Sequence, residues 1–147
     1  MKPALRCNNA SSPYRRPSFE VLKEGLRYGD DALLHLNAGF IYARTGQVGE
    51  AETEFQKAIA LSPENPEPVF ALGSLKEQTG QEDVALALYY KAVSMDPSYV
   101  VARVRIGQIE MKRGNREEAR AQFEEALRWN PNDTDAIQGM QMSDESH

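Results

Sequence analysis

GFIYARTGQVGEAETEFQKAIALSP, residues 39–63, recurs in outline as GSLKEQTGQEDVALALYYKAVSMDP at 73–97 and as GQIEMKRGNREEARAQFEEALRWNP at 107–131. Six positions keep their character in all three copies. They are Gly39, Gly46, Ala51, Phe55, Ala58 and Pro63, then Gly73, Gly80, Ala85, Tyr89, Ala92 and Pro97, then Gly107, Gly114, Ala119, Phe123, Ala126 and Pro131. The spacing is 34 residues, from Ala51 to Ala85 to Ala119 and from Pro63 to Pro97 to Pro131. A period of that length belongs to stacked helix pairs, in which no unit buries its apolar face alone and each neighbour completes the core.

Each period holds two amphipathic stretches of about 13 residues on either side of a glycine turn, the αα-hairpin. The pattern predicts first helices at about 32–45, 66–79 and 100–113, and second helices at about 49–61, 83–95 and 117–129. Gly46, Gly80 and Gly114 stand where a left-handed residue closes the first helix. Asn115 with Glu118 reads as a capping box, and Asn65-Pro66-Glu67 as a cap, a first-turn proline and a favourable first-turn acid. Pro63, Pro97 and Pro131 block continuation of the second helices. Gly39, Gly73 and Gly107 fall mid-helix, where glycine costs about 1 kcal/mol against alanine, so their recurrence calls for a close helix crossing. Ala51, Ala85 and Ala119 are expected as the small facing partners, with Phe55, Tyr89 and Phe123 filling space one turn later. Ala58, Ala92 and Ala126 are expected to admit the following repeat.

These residues resemble the tetratricopeptide repeat, in three complete copies over 32–133. The resemblance implies an all-α fold, a right-handed α-solenoid of antiparallel helix pairs with partial capping helices at both ends. The division expected is a disordered basic tail at 1–17, a half-repeat capping helix at 18–31, repeats at 32–65, 66–99 and 100–133, and a capping helix with a polar tail at 134–147. At the N-terminal end Leu22, Gly25 and Leu26 have the spacing of Phe55, Ala58 and Ile59, as in an orphan second helix. At the other end Asp133 is expected to cap a helix whose Ala136, Ile137 and Met140 shield the last repeat. There are departures from the family pattern. The large aromatic usual in the first helix is His35, Val69 and Arg103 here, and the usual tyrosine survives as Tyr42 but becomes Lys76 and Glu110; both are expected to weaken packing without disturbing register.

Composition narrows the function further. Of the net charge of −5, residues 1–17 contribute Lys2, Arg6, Arg15 and Arg16 with no acid, so the remainder carries −9. That field opposes nucleic-acid binding, which needs clustered Lys and Arg. No apolar run reaches the roughly 18 residues that span a bilayer, and no export signal core is legible, so the expected location is cytoplasmic and free of membrane. His35, His147 and Cys7 have no metal-site spacing, no phosphate-binding glycine loop is present, and no cofactor is expected. The carboxylates of Glu117, Glu118, Glu124 and Glu125 read as a solvated helix face. Nothing points to an enzyme. Arg15-Arg16-Pro17-Ser18-Phe19 makes Ser18 a possible phosphosite, weighed against Ser18 as a helix cap.

The family resemblance makes the concave face of the first helices the expected site for a protein or peptide ligand with apolar anchors. By register the candidates are Leu36, Asn37, Phe40 and Arg44, then Phe70, Ser74 and Glu77, then Val104, Arg105, Gln108, Met111 and Lys112. Family members that grip the C-terminal carboxylate of heat-shock chaperones use Lys and Asn, then Asn, then Lys and Arg. Those positions are Leu36 and Phe40, Ala71, and Val101 and Arg105 here, so only the arginine matches and chaperone-tail binding is not expected. Phe40→Glu and Phe70→Glu are expected to abolish ligand binding and leave helicity intact. The alternative is a self-associating scaffold, a homo-oligomer through the groove or a terminal helix; an RNA-binding helical repeat ranks below both.

Overall fold

The computed structural model describes residues 31–145. Ser18, the basic tail and the expected N-terminal capping helix therefore lie outside the described residues. Seven helices follow one another among those that are described: α1 (Ala32–Arg44), α2 (Val48–Leu61), α3 (Pro66–Gln78), α4 (Glu82–Met95), α5 (Val100–Lys112), α6 (Arg116–Trp129) and α7 (Thr134–Asp144). The architecture is an all-α repeat solenoid. Hairpins α1–α2, α3–α4 and α5–α6 pack in succession, and α7 closes the stack against α6 and α5.

The turns repeat down to single hydrogen bonds. Gly46, Gly80 and Gly114 have φ of 78°, 80° and 82°, a region where a Cβ clashes with the backbone. The residue after each glycine then returns its N–H to the end of the first helix: Gln47 to Tyr42 O at 2.9 Å, Gln81 to Lys76 O at 2.8 Å and Asn115 to Glu110 O at 2.9 Å. This is the Schellman closure, which satisfies carbonyls the helix end would leave open. First helices begin on the same grid. Asp31, Asn65 and Asp133 each accept a backbone N–H from the first turn, at 2.8, 3.0 and 2.9 Å.

One expected cap does not form. Asn115 makes no side-chain cap on α6; its Nδ2 donates instead to Glu110 Oε2 at 2.6 Å. Glu118 looks the other way, accepting from Tyr90 Oη at 2.8 Å and Gln122 Nε2 at 2.9 Å. Glu110 explains the choice: it is buried, and a buried carboxylate needs a donor more than an exposed helix end does.

The mid-helix glycines mark the crossings, but the partner is the ring and not the alanine. A Cβ on Gly73 would stand 2.8 Å from Cε1 of Tyr89, one on Gly107 would stand 2.6 Å from Cε1 of Phe123, and one on Gly39 would collide with Phe55. Each ring is buried against the glycine of the first helix, and Ala51, Ala85 and Ala119 are buried beside it. Phe123 is clasped twice, because Gly139 of α7 meets the same ring. Ala136 is likewise buried, yet Ile137 is exposed. The face by which α7 shields the last repeat therefore runs through Ala136, Gly139 and Ser143, with Met140 at its margin.

The polar departures from the family pattern are compensated by pairing, and the apolar one by burial. His35 is buried with Nδ1 2.5 Å from Glu54 Oε2, and Val69 is wholly buried. Arg103 donates to Pro97 O at 2.9 Å and Gln122 Oε1 at 3.2 Å. Lys76, in place of a tyrosine, reaches Glu52 Oε1 at 2.8 Å.

Repeat junctions depend on small residues. Ala92 is fully buried in a cluster that joins Val69 of its own repeat to Ala102 of the next. Ala92→Leu is expected to overpack this junction at about 1–3 kcal/mol. Urea unfolding followed by circular dichroism checks this, and an unchanged midpoint would count against the packing described. Among the described residues no helix is long and apolar enough to cross a membrane, and no group of three His, Cys, Asp or Glu is placed to hold a metal.

Candidate functional site

The first helices α1, α3, α5 and α7 share one face, and their grid position decides which side chains reach its surface. Residues 36, 70 and 104 are one position repeated three times, and all three turn inward. Leu36 is 3% exposed in a cluster with Ala51, Ala71 and Leu72, and Val104 is 5% exposed in a cluster with Phe123 and Ala136. Neither lines the surface as expected. Leu36 is covered by α3 of the next hairpin and Val104 by α6 and α7, so both support the groove from beneath. Phe70 is half-buried, with its ring centroid 5.2 Å from that of Tyr89 and 5.6 Å from that of Tyr99, the latter edge-on. A charge there would break the packing between the second and third repeats, so Phe70→Glu is a stability variant and not a clean test of binding.

What remains at the surface is Asn37, Phe40 and Arg44 on α1, Ser74 and Glu77 on α3, Arg105, Gln108, Met111 and Lys112 on α5, and a contribution from α7. Two hollows open there. The smaller, about 190 Å³, lies between α1 and α3, with Phe40, Ala43, Phe55 and Ala71 as its apolar surface and Arg44, Ser74 and Gln78 at its edge. Phe40 is 41% exposed and stands edge-on to Phe55, centroids 5.3 Å apart. The larger, about 430 Å³, lies between α5 and α7 over the Phe123 ring, walled by Met111, Met142 and the bare backbone of Gly139. Its rim carries Gln108, Lys112, Asp135 and Gln138. The α7 residues were missed in the sequence because they fall beyond the third copy. The available signal was Gly139, a helical glycine at the period position held by Asn37, Ala71 and Arg105.

A polar bar separates the hollows. Tyr89 Oη donates to Glu77 Oε2 at 2.7 Å, Arg105 Nη2 donates to Glu77 Oε1 at 2.7 Å, and Arg105 Nη1 donates to Gln108 Oε1 at 3.0 Å. Burial and the neighbouring Glu77 carboxylate push the Tyr89 phenol above the ordinary tyrosine range, so it stays a donor at any physiological pH. The Glu77 carboxylate raises the Arg105 pKa against the opposing effect of burial, so its charge is permanent. The apolar surface of the face is thus interrupted at its middle. Tyr89→Phe is expected to cost about 0.5–1.5 kcal/mol, the worth of one such hydrogen bond, measured as a shift in the unfolding midpoint.

Among the groove residues, Arg44, Arg105 and Lys112 are interleaved with Glu77 and Asp135. The second helices carry a net acidic charge, and Lys112 and Arg113 reach across to Glu82, at 2.9 and 3.1 Å, and Arg113 to Asp83 at 2.6 Å.

Comparison with known proteins agrees with this geometry. The tetratricopeptide repeat family matches twice, over residues 32–65 and over residues 78–141, together more than half of the 147 residues. Among solved structures, the first repeat domain of Spaghetti (RPAP3), bound to the HSP90 peptide SRMEEVD, is 26% identical, with 77% of this chain and 90% of that one covered and a TM-score of 0.70. A tetratricopeptide repeat protein from Parabacteroides merdae is 23% identical over 86% of this chain and 51% of that one, with a TM-score of 0.77. MamA is 18% identical over 97% of this chain and 83% of that one, with a TM-score of 0.73. None of the curated proteins compared matches the chain. From the threefold grid, the glycine-closed hairpins and these matches, the chain belongs to the tetratricopeptide repeat family.

Proposed function

We propose that the chain is a protein-interaction scaffold that holds a segment of a partner protein along the face of its first helices. The fold in general supports a scaffold role. The observation that carries the site is the pair of apolar hollows around Phe40 and around Met111 and Met142, both open on one face. An exposed phenylalanine at a concave site is an anchor that a partner's apolar side chain can cover, and such anchors dominate binding energy.

The Spaghetti domain is bound to a chaperone peptide, but this chain lacks the groups for a terminal carboxylate. At the clamp positions Leu36 and Ala71 are buried, Phe40 and Val101 are apolar, and Arg105 already engages Glu77. A carboxylate brought there would meet one arginine and would have to displace an internal partner. An internal segment with apolar anchors fits better. With Arg105 and Lys112 already paired to carboxylates, the groove likewise supplies no basic track for RNA.

Affinity purification from the native source tests this reading, with wild-type chain, Phe40→Glu, and Val84→Glu on α4 as an exposed control away from the face. Partners captured by wild type and Val84→Glu but lost with Phe40→Glu are the expected result. Equal capture by all three would refute the site.

A further inference from the structure

The two hollows differ in size and in the charge beside them, and the difference gives the groove a direction. The α1/α3 hollow, about 190 Å³, has Arg44 at its edge. The α5/α7 hollow, about 430 Å³, has Asp135 at its rim. Arg44 and Asp135 are exposed, and neither has an ion-pair partner among the described residues. The other groove charges near the hollows are already engaged: Arg105 by Glu77, and Lys112 by Glu82.

We infer that, given the groove site proposed above, the partner is a segment read in one order: a small apolar side chain flanked by an acid, a polar spacer, then a large apolar side chain flanked by a base. The small anchor enters between α1 and α3 with its acid on Arg44. The spacer crosses the Glu77–Arg105–Gln108 bar, whose mutual bonds leave nothing to reward an apolar residue there. The large anchor enters over Phe123, where Met111 and Met142 adapt to an aromatic or long aliphatic side chain, and its base meets Asp135. The hollows lie two first-helix steps apart along the face, one between α1 and α3 and the other between α5 and α7, so the spacer has to cross α3 and α5. Exposed ion pairs contribute little to affinity and more to orientation, so charge is expected to choose between a sequence and its reverse.

The probe is a phage-displayed library of random sixteen-residue peptides, selected on the full chain, on Arg44→Glu/Asp135→Lys, and on Phe40→Glu, with helicity of each variant checked by circular dichroism. Selected peptides are then synthesised and their affinities measured by fluorescence anisotropy. The expected result is an acid beside the small anchor and a base beside the large one, inverted on the charge-swapped variant. Peptides selected on wild type should lose about tenfold in affinity on that variant, and Phe40→Glu should select nothing. Selection that Phe40→Glu erases but that shows no charge order, or an order unchanged by the swap, would overturn the inference and leave the groove site standing. Selection indifferent to Phe40→Glu, or none on wild type, would overturn both. Should Phe40→Glu lose helicity, Met142→Glu, at a residue 52% exposed in the larger hollow, takes its place.

Discussion

Phe123→Ala is expected to lower stability by about 3–5 kcal/mol, the upper range for truncating a buried aromatic. Phe123 is 1% exposed and fills the crossing of three helices at once, its ring lying against Gly107 of α5 and Gly139 of α7. Both glycines lack a side chain that could move into the vacated space, so the cavity persists. Phe55 has one such glycine described against it and Tyr89 one, and the equivalent loss there is expected to be smaller. The effect is also expected to be local. A repeat array is stabilised by each unit and its immediate neighbours, so amide exchange should rise first in α6 and α7 while α1 and α2 keep their protection. Urea unfolding of the variant, with residue-resolved hydrogen exchange, checks both parts; a loss below about 1 kcal/mol would contradict the double clasp.

The second large effect concerns binding. Phe40→Glu is expected to reduce affinity for a groove ligand at least 30-fold, equivalent to about 2 kcal/mol, the threshold of a hot-spot anchor. A carboxylate at this point would have to be desolvated beside Phe55 and Ala71 whenever a ligand covers it. The fold is expected to survive, since the side chain is partly exposed and the loss of its edge-on pairing with Phe55 costs about 0.5–1.5 kcal/mol. Titration of a selected peptide into each protein, alongside their circular dichroism spectra, separates loss of binding from loss of structure.

Much of the fold was legible because the features that specify it are local and recur. Gly46, Gly80 and Gly114 announce their positive φ, and each of the six repeat helices lies within a residue of its predicted bounds. The helix crossings were legible too, though the identity of the partner ring was not, since a glycine shows that something comes close without saying what. The site was harder to read for two physical reasons. Leu36, Phe70 and Val104 lie on the same stripe as true surface residues, and only tertiary packing against neighbouring helices turns them inward. That the position is apolar in all three copies, while 40, 74 and 108 vary, was the sign that it belongs to the core. The polar bar was invisible for another reason: Glu77 and Arg105 are 28 residues apart, and no periodicity pairs a single glutamate with a single arginine. Asn115 teaches the reverse lesson. Its capping pattern is present in sequence, but the side chain turns its amide toward a buried carboxylate five residues earlier and caps nothing.

Site-specific photocrosslinking tests the central claim most directly, with a benzophenone amino acid placed at Ser74, beside the smaller hollow, or at Lys91, exposed on α4. Each labelled chain is irradiated in extract from the native source. The expected result is a discrete crosslinked partner from the Ser74 position, competed away by excess unlabelled wild type and absent from the Lys91 position. A partner captured from Lys91 and not from Ser74 would place binding on the second helices and contradict the account.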